Sequence, residues 1–143
     1  MNNLTCVRRI QFCSGHRVLN HENKCSNIHG HNYVMFFHAR SPDLDSIGRV
    51  IDFSVLKEKL GGWVDKHWDH SFLINKEDIV LMEIIPKGMN NKPAFVCDFN
   101  PTAENMAAYI LNVVAPKEMA GTGVEVFKIE LWETENCLAT AEL

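Results

Sequence analysis

Cys25-Ser26-Asn27-Ile28-His29-Gly30-His31-Asn32-Tyr33-Val34-Met35-Phe36-Phe37-His38-Ala39-Arg40 runs from a polar loop into an apolar segment. Residues 31–40 are rich in aromatic and apolar side chains and read as a strand. If His29-Gly30-His31 enters that strand, its period of two puts both imidazoles on one face, and Gly30 leaves room for a third ligand or a substrate to approach. Upstream, residues 4–13 around Arg8-Arg9 read as a partner strand, and His16 at its end is the natural third imidazole when the two strands pair. Three neutral imidazoles with an open fourth position form the ligand set of a catalytic zinc, which polarises a carbonyl or acidifies a bound hydroxyl. An isolated histidine is ordinarily a surface or core residue, but a His-Gly-His with a cysteine four residues before it is a much rarer pattern. Spacing leaves open whether Cys25 closes the metal shell or stays free for chemistry.

Further along, Asp52 is placed to cap a helix whose Val55, Leu56, Leu60, Trp63, Val64 and His67 fall at helical spacing. Gly61-Gly62 weakens that helix in its middle, by about 1 kcal/mol per glycine relative to alanine. Ile79 to Ile85 fits either a strand or a short helix, and Pro86 to Pro93 reads as a turn-rich loop. Asn100-Pro101 supplies a second helix start, with Asn as cap and Pro at the first position. Ala103, Met106, Ala107, Ile110, Leu111 and Val114 follow on one face. Val124 to Glu133 reads as a strand buried on most of both faces, and Cys137 to Ala141 as a short last strand. The order β-β-α-α-β-β predicts an α+β fold, a four-stranded antiparallel sheet with two helices on one face, forming a single domain over 1–143. Such a sheet has two open edges, which predicts pairing edge to edge in a ring.

Composition sets outer bounds. With 46% apolar and 22% charged residues the chain has the balance of one ordinary globular domain. Fourteen Lys+Arg against eighteen Asp+Glu, with no basic cluster, argue against a nucleic-acid binder that tracks phosphates. The longest apolar stretches are far short of the roughly 20 residues of a membrane span. Five cysteines, an odd number without a small-scaffold spacing, and no signal-like N-terminal segment predict a cytoplasmic protein with reduced thiols.

Other residues carry two readings each. Asp69-His70 is either a solvated acidic turn or, beside a thiol and a metal, a proton carrier whose carboxylate orients the imidazole; that pairing needs a turn, because neighbours on an extended segment point apart. Glu133 is either a solvated strand end or a carboxylate that accepts paired N–H donors from a guanidine-like heterocycle. Thr102 and Glu104 read as capping and first-turn residues. His21, His38 and His67 read as structural or surface residues, and Cys6, Cys13, Cys97 and Cys137 as small core fillers.

Taken together, His16, Cys25-x-x-x-His29-Gly30-His31, Val50-Ile51-Asp52-Phe53, Asp69-His70, Pro101-Thr102-Ala103-Glu104-Asn105 and Trp132-Glu133-Thr134 resemble the 6-pyruvoyltetrahydropterin synthase and 6-carboxytetrahydropterin synthase family. The resemblance runs from about Val7 to Ala141. It implies a tunnelling fold (T-fold) whose subunits close into trimeric barrels, two of which stack into a homohexamer. It further implies that His16, His29 and His31 hold zinc, and that Cys25 is the general base. Asp69 and His70 would complete a proton-transfer triad across a subunit interface. Glu133 would anchor the pterin ring, with Thr102 and Glu104 lining the pocket. The implied substrate is 7,8-dihydroneopterin triphosphate. Three residues between the Cys and the His-Gly-His resemble the branch that forms 6-carboxy-5,6,7,8-tetrahydropterin, acetaldehyde and triphosphate for queuosine and other deazapurines. The alternatives are a pyruvoyl-forming synthase of biopterin type and a non-catalytic, metal-stabilised pterin-binding protein. Cys13-Ser14-Gly15 before His16, Ala103, and the long 75–99 segment depart from the family's usual pattern.

Overall fold

In the computed structural model, which describes residues 2–85 and 92–143, β1 (Thr5–His16) and β2 (His29–Arg40) pair antiparallel over their full lengths, from Thr5 opposite Arg40 to His16 opposite His29. β1 runs three residues and β2 two residues closer to the connecting loop than residue types alone indicate, so all three histidines sit within or at the end of strands. A 3-10 turn, Lys24–Ser26, lies in that loop and carries Cys25.

The helical run 53–67 consists of α1 (Phe53–Leu56), a turn of π-helix (Lys57–Gly61) and α2 (Gly62–His67). Asp52 caps it as expected, its carboxylate accepting from the Ser54 amide at 2.9 Å. The weak Gly61-Gly62 centre is where the π-turn ends, and Gly61 lies against Ile10 of β1, a side chain's width from the sheet. β3 (Ser71–Asn75) follows, then α3 (Ile79–Ile84), which settles that segment as a helix. Of the turn-rich Pro86–Pro93 segment, residues 86–91 lie outside the described residues. β4 (Phe95–Cys97) leads into the second helical run, α4 (Ala103–Tyr109), a π-turn (Ile110–Val114) and α5 (Ala115–Glu118). β5 (Glu125–Thr134) and β6 (Cys137–Glu142) complete the chain.

The sheet has six strands, in the order β4-β3-β1-β2-β5-β6, rather than the four expected. β3 and β4 are the additions, and both pair in parallel: Ser14 with Ser71 on one side, Leu73 with Phe95 on the other. The α+β class holds, while β3, α3 and β4 come between the two helical runs of the expected order and make the sheet mixed, not wholly antiparallel. A second correction concerns the start of α4, where Thr102 rather than Asn100 is the cap, its hydroxyl accepting from the Asn105 amide. The Asn100 side chain is used elsewhere, donating to the Leu19 carbonyl and accepting from the Leu19 amide, which ties the loop after β1 to this helix start.

Both helical runs cover one face of the sheet. Tyr33, Met35, Phe37 and Ala39, alternate residues of β2, are buried there against Leu56, Leu60, Val64, Met106 and Ile110. Each fully buried side chain of this size contributes about 1.5–3 kcal/mol. β5 reaches the same core with a change of parity: Ala39 pairs with Val126 but His38 with Lys128, so Phe127 is an extra residue and the inward positions move from Val126 to Ile129 and Leu131. The apparent burial of both faces of this strand is the signature of that bulge. Phe127 turns outward beside His38, with the Arg40 guanidinium 4.8 Å over its ring.

Candidate functional site

His29 and His31 project from the same face of β2, and His16 joins them because β1 places it directly opposite His29. Their ring centroids are 4.6, 4.9 and 5.2 Å apart, and a ligand nitrogen from each lies within 4.8 Å of the others. Backbone carbonyls decide which nitrogen is free: His16 Nδ1 donates to the Pro101 carbonyl at 2.6 Å and His29 Nδ1 to the Asn27 carbonyl at 2.7 Å. Each neutral ring therefore turns an Nε2 lone pair inward. The two Nε2 atoms are 3.1 Å apart. His31 Nε2 is buried and has no hydrogen-bond partner among the described residues.

The three nitrogens are close enough together to hold one divalent cation. Two ligands on a tetrahedral zinc with Zn–N near 2.0–2.1 Å stand about 3.3 Å apart, close to the separation found here. Burial favours neutral rings, as ligation requires. It lowers the pKa of His16 to about 4, opposed by the Pro101 carbonyl and reinforced by His29 and His31. His31 is lowered by burial too, against the opposing pull of Glu133 and with His29 adding to the shift. The Tyr33 hydroxyl, 3.4 Å from His16, is raised by burial and by the Glu133 charge, so it stays a neutral phenol at the base of the cluster.

Glu133 faces the same point, its Oε1 3.8 Å from His16 Nε2 and 4.0 Å from His31 Nε2. Trp132 pairs with Leu138 and Thr134 with Cys137, which leaves Glu133 as the unpaired residue of a second bulge. The parity change at Phe127 turns it inward, and the bulge frees it from the ladder. Thr102 serves as the α4 cap, and Glu104 is exposed on the first turn of that helix. Cys25 is half-buried on the loop, its carbonyl accepting from the Val18 amide at 2.8 Å; its sulfur is outside the three-histidine group.

Asp69 and His70 form the turn between α2 and β3. His70 has φ 56°, the left-handed conformation that lets two adjacent side chains meet, and its Nδ1 lies 2.9 Å from Asp69 Oδ2. Burial works against the Asp69 charge, but the Cys13 amide, the His70 ring and the charges of His70 and Lys92 outweigh it and hold its carboxyl below the usual range. The thiol beside this dyad within one chain is Cys13, 3.5 Å from His70 Nε2. Cys13 therefore is not the core filler its residue type indicates, and Cys137 is exposed. No sequence signal marks Cys13 alone; the parallel pairing of β3 with β1 brings it to the dyad.

A cleft of about 540 Å³ runs between two of the histidines and His70, lined by Cys13, Gly15, His29, His31, His70 and Phe72 among others. Gly15 and Gly30 are paired across β1 and β2 on its floor. A Cβ on Gly15 would meet the Phe72 ring at 2.6 Å, and one on Gly30 the Ser14 carbonyl at 3.0 Å. Neither position admits a side chain unless a neighbour shifts.

Residues 5–143 match the 6-pyruvoyl tetrahydropterin synthase family. A protein of Rickettsia bellii named 6-carboxy-5,6,7,8-tetrahydropterin synthase is 37% identical over 134 residues, covering 94% of this chain and 96% of its own length. One of the same name from Aquifex aeolicus is 35% identical over 137 residues, with 92% and 82% covered. Among solved structures, an uncharacterized protein of Wolinella succinogenes superposes with a TM-score of 0.84 at 24% identity, covering 99% of both chains. The 6-pyruvoyl tetrahydropterin synthase of Caenorhabditis elegans gives a TM-score of 0.71 at 23% identity, covering 100% of this chain and 97% of that one. Those two likenesses establish the fold.

Proposed function

The chain belongs to the 6-pyruvoyl tetrahydropterin synthase family of enzymes, and from that premise we propose that it converts 7,8-dihydroneopterin triphosphate to 6-carboxy-5,6,7,8-tetrahydropterin, releasing acetaldehyde and triphosphate. The observation that carries this reading is the convergence of three imidazole nitrogens beside Glu133, two of the three rings lining the cleft. Two relatives at 35–37% identity bear the name of the carboxy-forming enzyme, and they favour that branch over the pyruvoyl-forming one.

His16, His29 and His31 would hold zinc, which when bound acts as a Lewis acid on a substrate oxygen and makes the neighbouring proton easier to remove. Glu133 accepts the N–H donors of the pterin ring and fixes its orientation. Cys25 removes the side-chain proton as general base. His70, oriented by Asp69, carries protons to and from the reacting side chain, supplied to Cys25 from a neighbouring copy. Thr102 and Glu104 border the ring at the start of α4. The active form is a homohexamer built from two trimers, each subunit a single T-fold domain, working in the cytoplasm in a queuosine or deazapurine pathway.

The test is to incubate the purified, zinc-loaded protein with 7,8-dihydroneopterin triphosphate and assay acetaldehyde. Its appearance in step with 6-carboxy-5,6,7,8-tetrahydropterin is expected, because only carbon–carbon cleavage releases it. Triphosphate release without acetaldehyde would assign the chain to the pyruvoyl-forming reaction, and no turnover to a non-catalytic pterin binder.

A further inference from the structure

Cys13 alternates with Phe12 and Ser14 along β1, so its side chain leaves the sheet on the face opposite His16. The cleft runs beside it, lined there by Gly15, Gly30 and the Phe72 ring that packs over Gly15. There the sulfur lies 3.5 Å from His70 Nε2, and the other ring nitrogen lies 2.9 Å from Asp69 Oδ2. Two backbone contacts lock this triangle: the Cys13 amide donates to Asp69 Oδ1 at 3.0 Å, and the His70 amide donates to the Cys13 carbonyl at 2.7 Å. Lys92 adds a third brace, its ammonium donating to the Asp69 carbonyl. A nucleophile, a base within reach and a third group orienting that base are the parts of an activated thiol.

We propose that Cys13, His70 and Asp69 of one chain form a thiol–imidazole–carboxylate centre at which the Cys13 sulfur adds reversibly to a small aldehyde in the cleft. Asp69 accepts the Nδ1 proton of His70, which directs the Nε2 lone pair toward the thiol. The S–H proton passes to Nε2 as sulfur bonds to the carbonyl carbon. The carbonyl π pair moves onto oxygen, which recovers the proton from the imidazolium. The product is a hemithioacetal; no electrons are gained or lost, and reversal restores both partners. The choice of an aldehyde rests on the acetaldehyde-releasing reading above, whereas the pairing of thiol and imidazole does not.

The test uses the assembled, full-length protein without any pterin, so its outcome is separate from whether the synthase reaction occurs. Alkylation by iodoacetamide is followed at each of the five cysteines by peptide mass spectrometry. Cys137 is exposed and Cys13 half-buried, so access alone would make Cys13 the slower. The expected result is the reverse, Cys13 reacting about tenfold faster than Cys137, the rate equivalent of one hydrogen bond to a charged group. His70→Asn, which suits the left-handed turn, should reduce Cys13 to the Cys137 rate or below and leave Cys137 unchanged. Acetaldehyde should slow alkylation of Cys13 more than that of Cys137, and that difference should vanish in the variant. The proposal is overturned if Cys13 reacts no faster than Cys137, if His70→Asn leaves its rate unaltered, or if acetaldehyde gives it no selective protection.

Discussion

Glu133 is the residue at which charge, strand parity and chemistry meet. Its carboxylate is held by two bulges 3.8 and 4.0 Å from the His16 and His31 rings, in position to meet a ligand at the cluster. Glu133→Gln should weaken binding of the pterin substrate by about 1.5–3 kcal/mol, the scale of a hydrogen bond to a charged group. Titration calorimetry against a substrate analogue, with the Michaelis constant measured in parallel, checks this. An unchanged constant removes Glu133 from the anchoring role. At this scale the sequence was partly legible. Period-two spacing brings His29 and His31 together, and an adjacent antiparallel strand brings His16. Cys13 was illegible, because its place beside His70 depends on a left-handed turn and on a parallel strand 57 residues away, neither of which local spacing encodes.

Among the elements, α3 is held by one buried ion pair. Asp78 caps it through the Leu81 amide and accepts from Nε and Nη2 of Arg17 in a bidentate clasp, which keeps the Asp78 carboxyl below its ordinary range despite burial. Arg17 directly follows His16, so the clasp also fixes the exit of β1 from the site. Arg17→Ala leaves a carboxylate buried to 2% exposure without its countercharge, and should cost about 3 kcal/mol, the low end for a broken buried pair because Arg17 is partly solvated. Urea unfolding against the parent at equal protein concentration measures it. A loss within about 1 kcal/mol would place the pair with ordinary surface ones. The strands and helices with strong periodicity were readable from residue types alone. β3 and β4 were not: they have only 5 and 3 residues, and in β3 two-sided burial erases the alternation that marks an antiparallel strand. The bulge at Phe127 similarly disguised a one-sided strand as a two-sided one.

For the whole molecule, the edges matter most. β3 pairs with β1 only at Ser14 and Gly15, so the edge of β1 from Thr5 to Phe12 carries no strand among the described residues, and β6 is the last strand on the opposite side. Two different open edges on one sheet favour head-to-tail pairing, which closes into a ring rather than a two-fold dimer. Light scattering after size exclusion should therefore give a closed oligomer, six chain masses for two stacked trimers; a monomer at micromolar concentration would contradict this. The left-handed bend at His70 also constrains the history of the chain. Glycine there keeps the corner but forfeits the ring, while a long or branched side chain strains the corner without restoring the ring. Asparagine preserves the shape alone. A lineage drifting through asparagine would remain well folded while its chemistry fell silent, so sound architecture in a descendant is no guarantee of a working enzyme.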